Sequence, residues 1–224
     1  MRSSDYRRIA REKLSGNWGI SVGIALVASI LGGLVSSSGN ASFLFNEDLL
    51  VFMPPEILTL LAAIGVTASL LSLAQFLISG VVQLGYVQFL LKQYKNGTGD
   101  FADLFSQFNR FGQGFAQMFL RGLYIFLWSL LFVIPGIIKT YSYAMTPFIM
   151  AENPHMSASE AIAVSKVIMD GHKWELFCLE FSFIGWMFLS VLSCGIGFLF
   201  LTPYMNAALA AFYKGITADI RIAV

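Results

Sequence analysis

Between Ile57 and Leu91 the chain runs for 35 residues without an Asp, Glu, Lys or Arg. About 20 apolar residues already cross a hydrocarbon layer of roughly 30 Å, so this stretch reads as a membrane-crossing helix rather than a soluble core element. The composition agrees: 57% of the 224 residues are hydrophobic and 12% are charged, against roughly 25% charged in a soluble domain. A soluble globule and a disordered chain are both excluded. With 14 Lys and Arg against 13 Asp and Glu, no basic surplus points to nucleic acid. The expected fold is all-α, a polytopic transmembrane helical bundle.

Five more apolar segments join the first: Trp18 to Val35, Gly122 to Ile138, Thr140 to Ala151, Leu176 to Ser193 and Ile196 to Tyr213. That predicts about six spans. Splitting the 35-residue run at Ser79-Gly80 would strand Lys92, Lys95, Arg110 and Arg121 on the outer side. One long helix, tilted or protruding, with Gln83 and Gln88 near its inner end, fits better. With a cytoplasmic N-terminus, 13 of the 14 Lys and Arg fall inside and Lys139 alone falls outside. Both termini are then cytoplasmic, and the acidic loop with Glu47, Asp48 and Glu56 is external. The chain divides into an amphipathic segment (1–17), a first hairpin (18–95), a cytoplasmic loop (96–114) and two further hairpins (115–224). Five basic residues, Arg2, Arg7, Arg8, Arg11 and Lys13, make the first segment too charged for a signal peptide, and it is read as retained.

Local patterns refine this plan. Tyr6, Ile9, Ala10 and Leu14 repeat at helical spacing opposite Arg7, Arg8 and Arg11, as in a basic helix lying on an anionic leaflet. Asn96 to Gly99 reads as a turn, followed by Phe101, Leu104, Phe105 and Phe108 as one apolar face. Ser157-Ala158-Ser159-Glu160 is a capping box opening a helix that stops at Gly171. Pro135-Gly136 is read as a helix break, which places Lys139 at the outer interface.

An internal repeat is visible at an offset of 58 residues, with Phe119 and Trp128 matching Phe177 and Trp186. Gly136-Ile137 and Gly195-Ile196 follow, then Thr146-Pro147-Phe148 and Thr202-Pro203-Tyr204. Two parallel helical hairpins are expected from it.

No catalytic signature is present: no phosphate-binding Gly-rich loop, HExxH or G-x-S-x-G. The reading is non-enzymatic, without a cofactor or a metal, since His155 and His172 match no ligand spacing. Cys178 and Cys194 lie 16 residues apart, roughly 24 Å on one helix, and form no disulfide. Small residues four apart, Gly19 and Gly23, Gly65 and Ser69, and Ala207, Ala211 and Gly215, suit close helix packing in lipid. Trp18, Tyr94, Trp174 and Tyr213 read as interfacial anchors. The candidate intramembrane polar site is Glu180 with Tyr141, Tyr143, Asn206 and Gln75, because an ionisable group at membrane depth is a functional candidate by default.

Several ordered motifs carry a resemblance: Gly16-Asn17-Trp18-Gly19, Gly99-Asp100-Phe101 with Asp103-Leu104-Phe105, Ile134 to Lys139, Ala151-Glu152-Asn153-Pro154, Met169 to Lys173, Ser182 to Trp186, and Pro203-Tyr204. Together they resemble the Gram-positive membrane proteins catalogued as domain of unknown function 975. The resemblance implies a polytopic protein of the bacterial cytoplasmic membrane with no established activity. A more distant similarity, to membrane domains of some glycerophosphodiester phosphodiesterases, implies membrane residence only, because those enzymes keep their catalytic residues in a separate soluble barrel. The expected partners are membrane lipids or another membrane protein, with no nucleic acid. The alternative is a small transporter or permease subunit with a polar path near Glu180.

Overall fold

The computed structural model describes residues 3–31, 54–193 and 195–222. The predicted external loop, apart from its last three residues, and Cys194 fall outside the described residues. Every element among the described residues is helical: α1 (Ser3–Leu14), α2 (Trp18–Leu31), α3 (Pro55–Asn96), α4 (Phe101–Phe105), α5 (Phe111–Leu131), α6 (Val133–Ser142), α7 (Thr146–Glu152), α8 (Ala158–Ile168), α9 (Lys173–Phe181), α10 (Ile184–Leu192) and α11 (Ile196–Ile222). Four stretches are long and apolar enough to cross a membrane: Gly65–Asn96, Phe101–Leu131, Lys173–Leu192 and Ile196–Ala218. A fifth is reached if α1 and α2, bent by 104°, count as one span. The six predicted spans are therefore not reached by length and composition. The missing one is Thr140 to Ala151, which the structure divides between α6 and α7.

Helix α3 is unbroken over 42 residues, and Gly97 closes it in the left-handed conformation (φ 74°), its N–H bonding the Gln93 carbonyl. No break falls at Ser79-Gly80. Gly80 instead marks the crossing of α3 with α5: a Cβ there would overlap the carbonyl of Gly114, and one on Gly114 would overlap Val81. Neither glycine was in the small-residue pattern read from the sequence. Gly19, which was, has nothing within 4 Å of an added Cβ.

The third span also shifts. The helix runs from Phe111 to Leu131, not from Gly122 to Ile138, and the chain turns at Phe132, whose backbone is extended (φ −160°, ψ 147°). The break thus precedes Pro135-Gly136, which lie inside α6. Proline is tolerated there because it sits in the first turn, where its missing N–H has no intrahelical partner to lose. Lys139, expected alone on the outer side, lies near enough to Lys166 and Lys173 for their charges to act on it.

Two tight hairpins result, α5–α6 and α10–α11. In the first, Gly136 packs on Ser129; in the second, Gly197 packs on Ser190. Each serine hydroxyl donates to the carbonyl four residues back, Ile125 or Trp186, at 2.8 Å. The structural equivalence is therefore serine to glycine over seven positions in both hairpins, an offset of 61 residues rather than 58. The Thr-Pro pairs are not equivalent: Pro147 opens α7, whereas Pro203 lies inside α11. Both hairpin ends are apolar and open, with Leu130 75% and Leu192 77% exposed, as lipid-facing surface requires.

The buried core lies towards the other end, among α1, the second half of α3, α7 and the second half of α11. The apolar face of α1 does not lie free on a leaflet. Tyr6, Ala10 and Leu14 are buried, with the Tyr6 ring 5.2 Å edge-on from Phe212. Tyr213, expected as an interfacial anchor, is also buried, and its hydroxyl donates to Glu152 at 2.8 Å. The predicted capping box forms at Ser157, whose backbone N–H above all, then its hydroxyl, holds the Glu160 carboxyl below the usual carboxylate range. That cap is present at neutral pH and is lost as acid protonates Glu160.

The Gly99-Asp100-Phe101 motif docks α4 on α3. Asp103 is buried, accepts the Asp100 N–H at 3.1 Å and pairs with Lys92, while Leu104 is fully buried beside Gly85. Phe101, Phe105 and Phe108 stay exposed, so the apolar face read from the sequence is divided between protein and surroundings. Asp103→Ala removes the cap and the partner of a half-exposed lysine, and should cost about 2 kcal/mol of stability, measured by thermal unfolding in detergent.

Candidate functional site

The polar residues expected to converge on Glu180 occupy four separate places. Tyr141 does meet it, donating a hydrogen bond to Glu180 Oε2 at 2.9 Å. The pair lies on the exposed side of α9, where Trp174 stacks on Phe177 at 5.1 Å and Tyr141 meets the same ring edge-on at 6.1 Å. Lys173 turns instead to Asp170, 3.2 Å away. Tyr143 is buried, its ring 6.3 Å from that of Tyr124. Gln75 donates to the Ile30 carbonyl at 3.0 Å and ties α3 to α2. Asn206 points elsewhere, into a cavity.

That cavity, of about 400 Å³, lies between α2, α3, α5, the α6–α7 connection and α11. Two polar stripes lead into it. On α3 they are Ser79, Gln83 and Tyr86, spaced four and three residues apart; on α5 the stripe continues from Gly114 through Gln117 to Arg121, spaced three and four. The glycine crossing brings these two stripes face to face, and Gln117 donates to Gln83 Oε1 at 3.1 Å. Ser79 donates to the Phe76 carbonyl at 2.8 Å and contacts Met118 across the gap. Asn206 enters from α11 beside Tyr86, its amide held by the Thr202 carbonyl at 2.9 Å.

Arg121 is the cation of this site. It stands midway along α5, partly buried, with its charge desolvated by the surrounding apolar walls. No ion pair or hydrogen bond with another described residue engages its guanidinium. Gln117 Oε1, buried where α5 meets Gln83, has no hydrogen-bond partner among the described residues, and the Tyr86 hydroxyl is engaged by the Asn206 side chain. A planar cation with five donors thus shares with Gln83, Tyr86 and Asn206 a space walled by Val82, Leu90, Ile125 and Phe148. This suits a molecule with an acidic head and an apolar body.

Sequence reasoning placed Arg121 at the entrance of a span beginning at Gly122 and so counted it with the loop residues. The signal that identifies it is the helical period of Gly114, Gln117 and Arg121 running through Phe111 to Leu131. It was obscured because Arg110 and Arg121 both look like span boundaries. No group of three metal-ligating residues assembles among the described residues, and His172 faces Glu175 at 3.5 Å.

No curated protein and no solved structure matches the chain. The family model described as "Protein of unknown function (DUF975)" matches it over residues 1–142 and 129–219. These two matches run through both hairpins, the α3–α5 crossing and the cavity between them, so the chain belongs to the DUF975 family.

Proposed function

We propose that this is a non-enzymatic multi-pass protein of the bacterial cytoplasmic membrane that binds an anionic amphiphile, with its acid group on Arg121. The observation that carries the reading is a desolvated guanidinium without a partner in an apolar-walled cavity. A cation at such depth is costly unless something neutralises it, and nothing among the described side chains does. A carboxylate or phosphate accepts two parallel N–H donors from arginine, and Gln83, Tyr86 and Asn206 line the same cavity. A transporter path near Glu180 draws less support, because Glu180 and Tyr141 lie on an exposed face outside the cavity. A path through the Arg121 cavity would use the same ligand chemistry.

The test is to purify the protein into nanodiscs directly from its native membrane and to identify bound lipids and small organic acids separately. An acid-bearing molecule should accompany the wild type and fall at least tenfold in Arg121→Gln, while Arg8→Gln, an exposed site, retains it. Lipid extraction and aqueous extraction distinguish a lipid headgroup from a free acid. Equal amounts bound to all three proteins would overturn the reading.

The orientation we propose places both termini and the basic ends of α3, α5 and α9 in the cytoplasm. It rests on the clustering of Lys and Arg near the loops on that side. With Cys178 and Cys194 replaced, a single cysteine at Ser38 should react with an impermeant reagent on intact cells, and one at Ser106 only after lysis. Equal labelling of intact cells at both sites contradicts the orientation.

A further inference from the structure

A second site lies on the opposite side of α11 from the Arg121 cavity. A groove of about 490 Å³ runs between the start of the chain and the α10–α11 hairpin. At one end stand Arg7, Arg11 and Trp18; along its length lie Trp186, Leu189, Ile196 and Phe200. Arg7 and Arg11 are one turn apart on α1, so they present two guanidiniums on one helix face. Neither makes an ion pair with a described carboxylate, and Arg7 Nε is buried without a hydrogen-bond partner. The Tyr204 hydroxyl donates to the Arg7 carbonyl at 3.3 Å and stacks edge-on against Phe183, which fixes α1 at the mouth of the groove.

The groove floor is apolar in effect. Its two serines satisfy their hydroxyls internally: Ser190 donates to the Trp186 carbonyl at 2.8 Å, and Ser193 donates to the Ser190 carbonyl at 2.9 Å while accepting the Gly197 N–H at 3.0 Å. The sides open laterally, with Trp186 52%, Leu189 61% and Ile196 64% exposed. From Ile196 to Tyr204 the floor extends along α11 by roughly 12 Å, parallel to the hairpin and hence to acyl chains in a bilayer. A double cation at the end of a laterally open apolar slot has the polarity of one phospholipid.

We infer that this groove holds an anionic phospholipid of the leaflet nearer α1, its phosphodiester between Arg7 and Arg11 and one acyl chain along the α10–α11 hairpin. Two guanidiniums with no facing carboxylate favour a lipid of net negative charge over a zwitterionic one. The site is independent of Arg121, because it uses a different face of α11 and different cations.

The test is native mass spectrometry of protein reconstituted in equimolar phosphatidylglycerol and phosphatidylcholine, then progressively delipidated. The wild type should retain one phosphatidylglycerol in preference to phosphatidylcholine by at least fivefold. Arg7→Gln/Arg11→Gln should lose that preference, and Arg121→Gln should keep it. Leu189→Trp fills the slot at an exposed position without touching either arginine, and should lower retention of the same lipid. If the wild type shows no preference, or if both the double variant and Leu189→Trp retain phosphatidylglycerol as the wild type does, the inference is wrong.

Discussion

Replacing Gly80 with valine should unfold the protein in detergent at temperatures where the wild type is native, a loss of about 3 kcal/mol or more. The α3–α5 crossing has no room to relax. A Cβ on Gly80 meets the backbone carbonyl of Gly114 rather than the end of a flexible side chain, and Gly114 in turn is pressed against the Val81 backbone. Both helices would have to separate, opening the Gln83–Gln117 contact and the cavity walls together. Gly122 lies on the same α5 helix with nothing within 4 Å of an added Cβ, so Gly122→Ala should raise stability by up to about 1 kcal/mol through helix propensity alone. Thermal unfolding followed by circular dichroism separates the two. A Gly80→Val protein as stable as Gly122→Ala would mean that the crossing is looser than described.

Arg121→Met should do the opposite to the ligand-free protein and stabilise it by about 2 kcal/mol, because it replaces an unpaired desolvated charge with an apolar side chain of similar length. The same change should abolish the stabilisation that a saturating anionic amphiphile gives the wild type, which grows with the logarithm of ligand concentration. Measured together, the two shifts distinguish a binding arginine from a structural one. If Arg121→Met instead destabilises the delipidated protein, then its guanidinium is held by protein contacts.

The long helices were legible because their determinants are local. The uncharged run from Ile57 to Leu91 and the left-handed Gly97 define most of α3, and Ser157 with Glu160 marks the start of α8. The hairpin turn was misplaced by three residues because Pro135 is the visible helix breaker, whereas the turn belongs to Phe132, an ordinary residue whose conformation is imposed by Gly136 closing on Ser129. The separation of the candidate polar residues has a related reason. Charge and depth on a single helix single out Glu180, but whether a polar residue faces lipid or a cavity depends on which glycines let its helix approach another. Gly80 and Gly114 decide that for Arg121, and no local pattern on either helix reveals their meeting. Asn206 stands with Tyr86 and Arg121 rather than with Glu180.

The packing of α1 on α11 has a consequence for how the chain is made. Tyr204 and Arg7, joined by a hydrogen bond, are 197 residues apart, and the ring that buries Tyr6 belongs to Phe212. Until α11 is made, Tyr6, Ala10 and Leu14 lack the helix that supplies most of their cover. Helix α1 is therefore made before α11 yet secured only with it. A chain halted before α11 is expected to leave the apolar face of α1 exposed, which limited proteolysis of stalled chains would report as cleavage within α1.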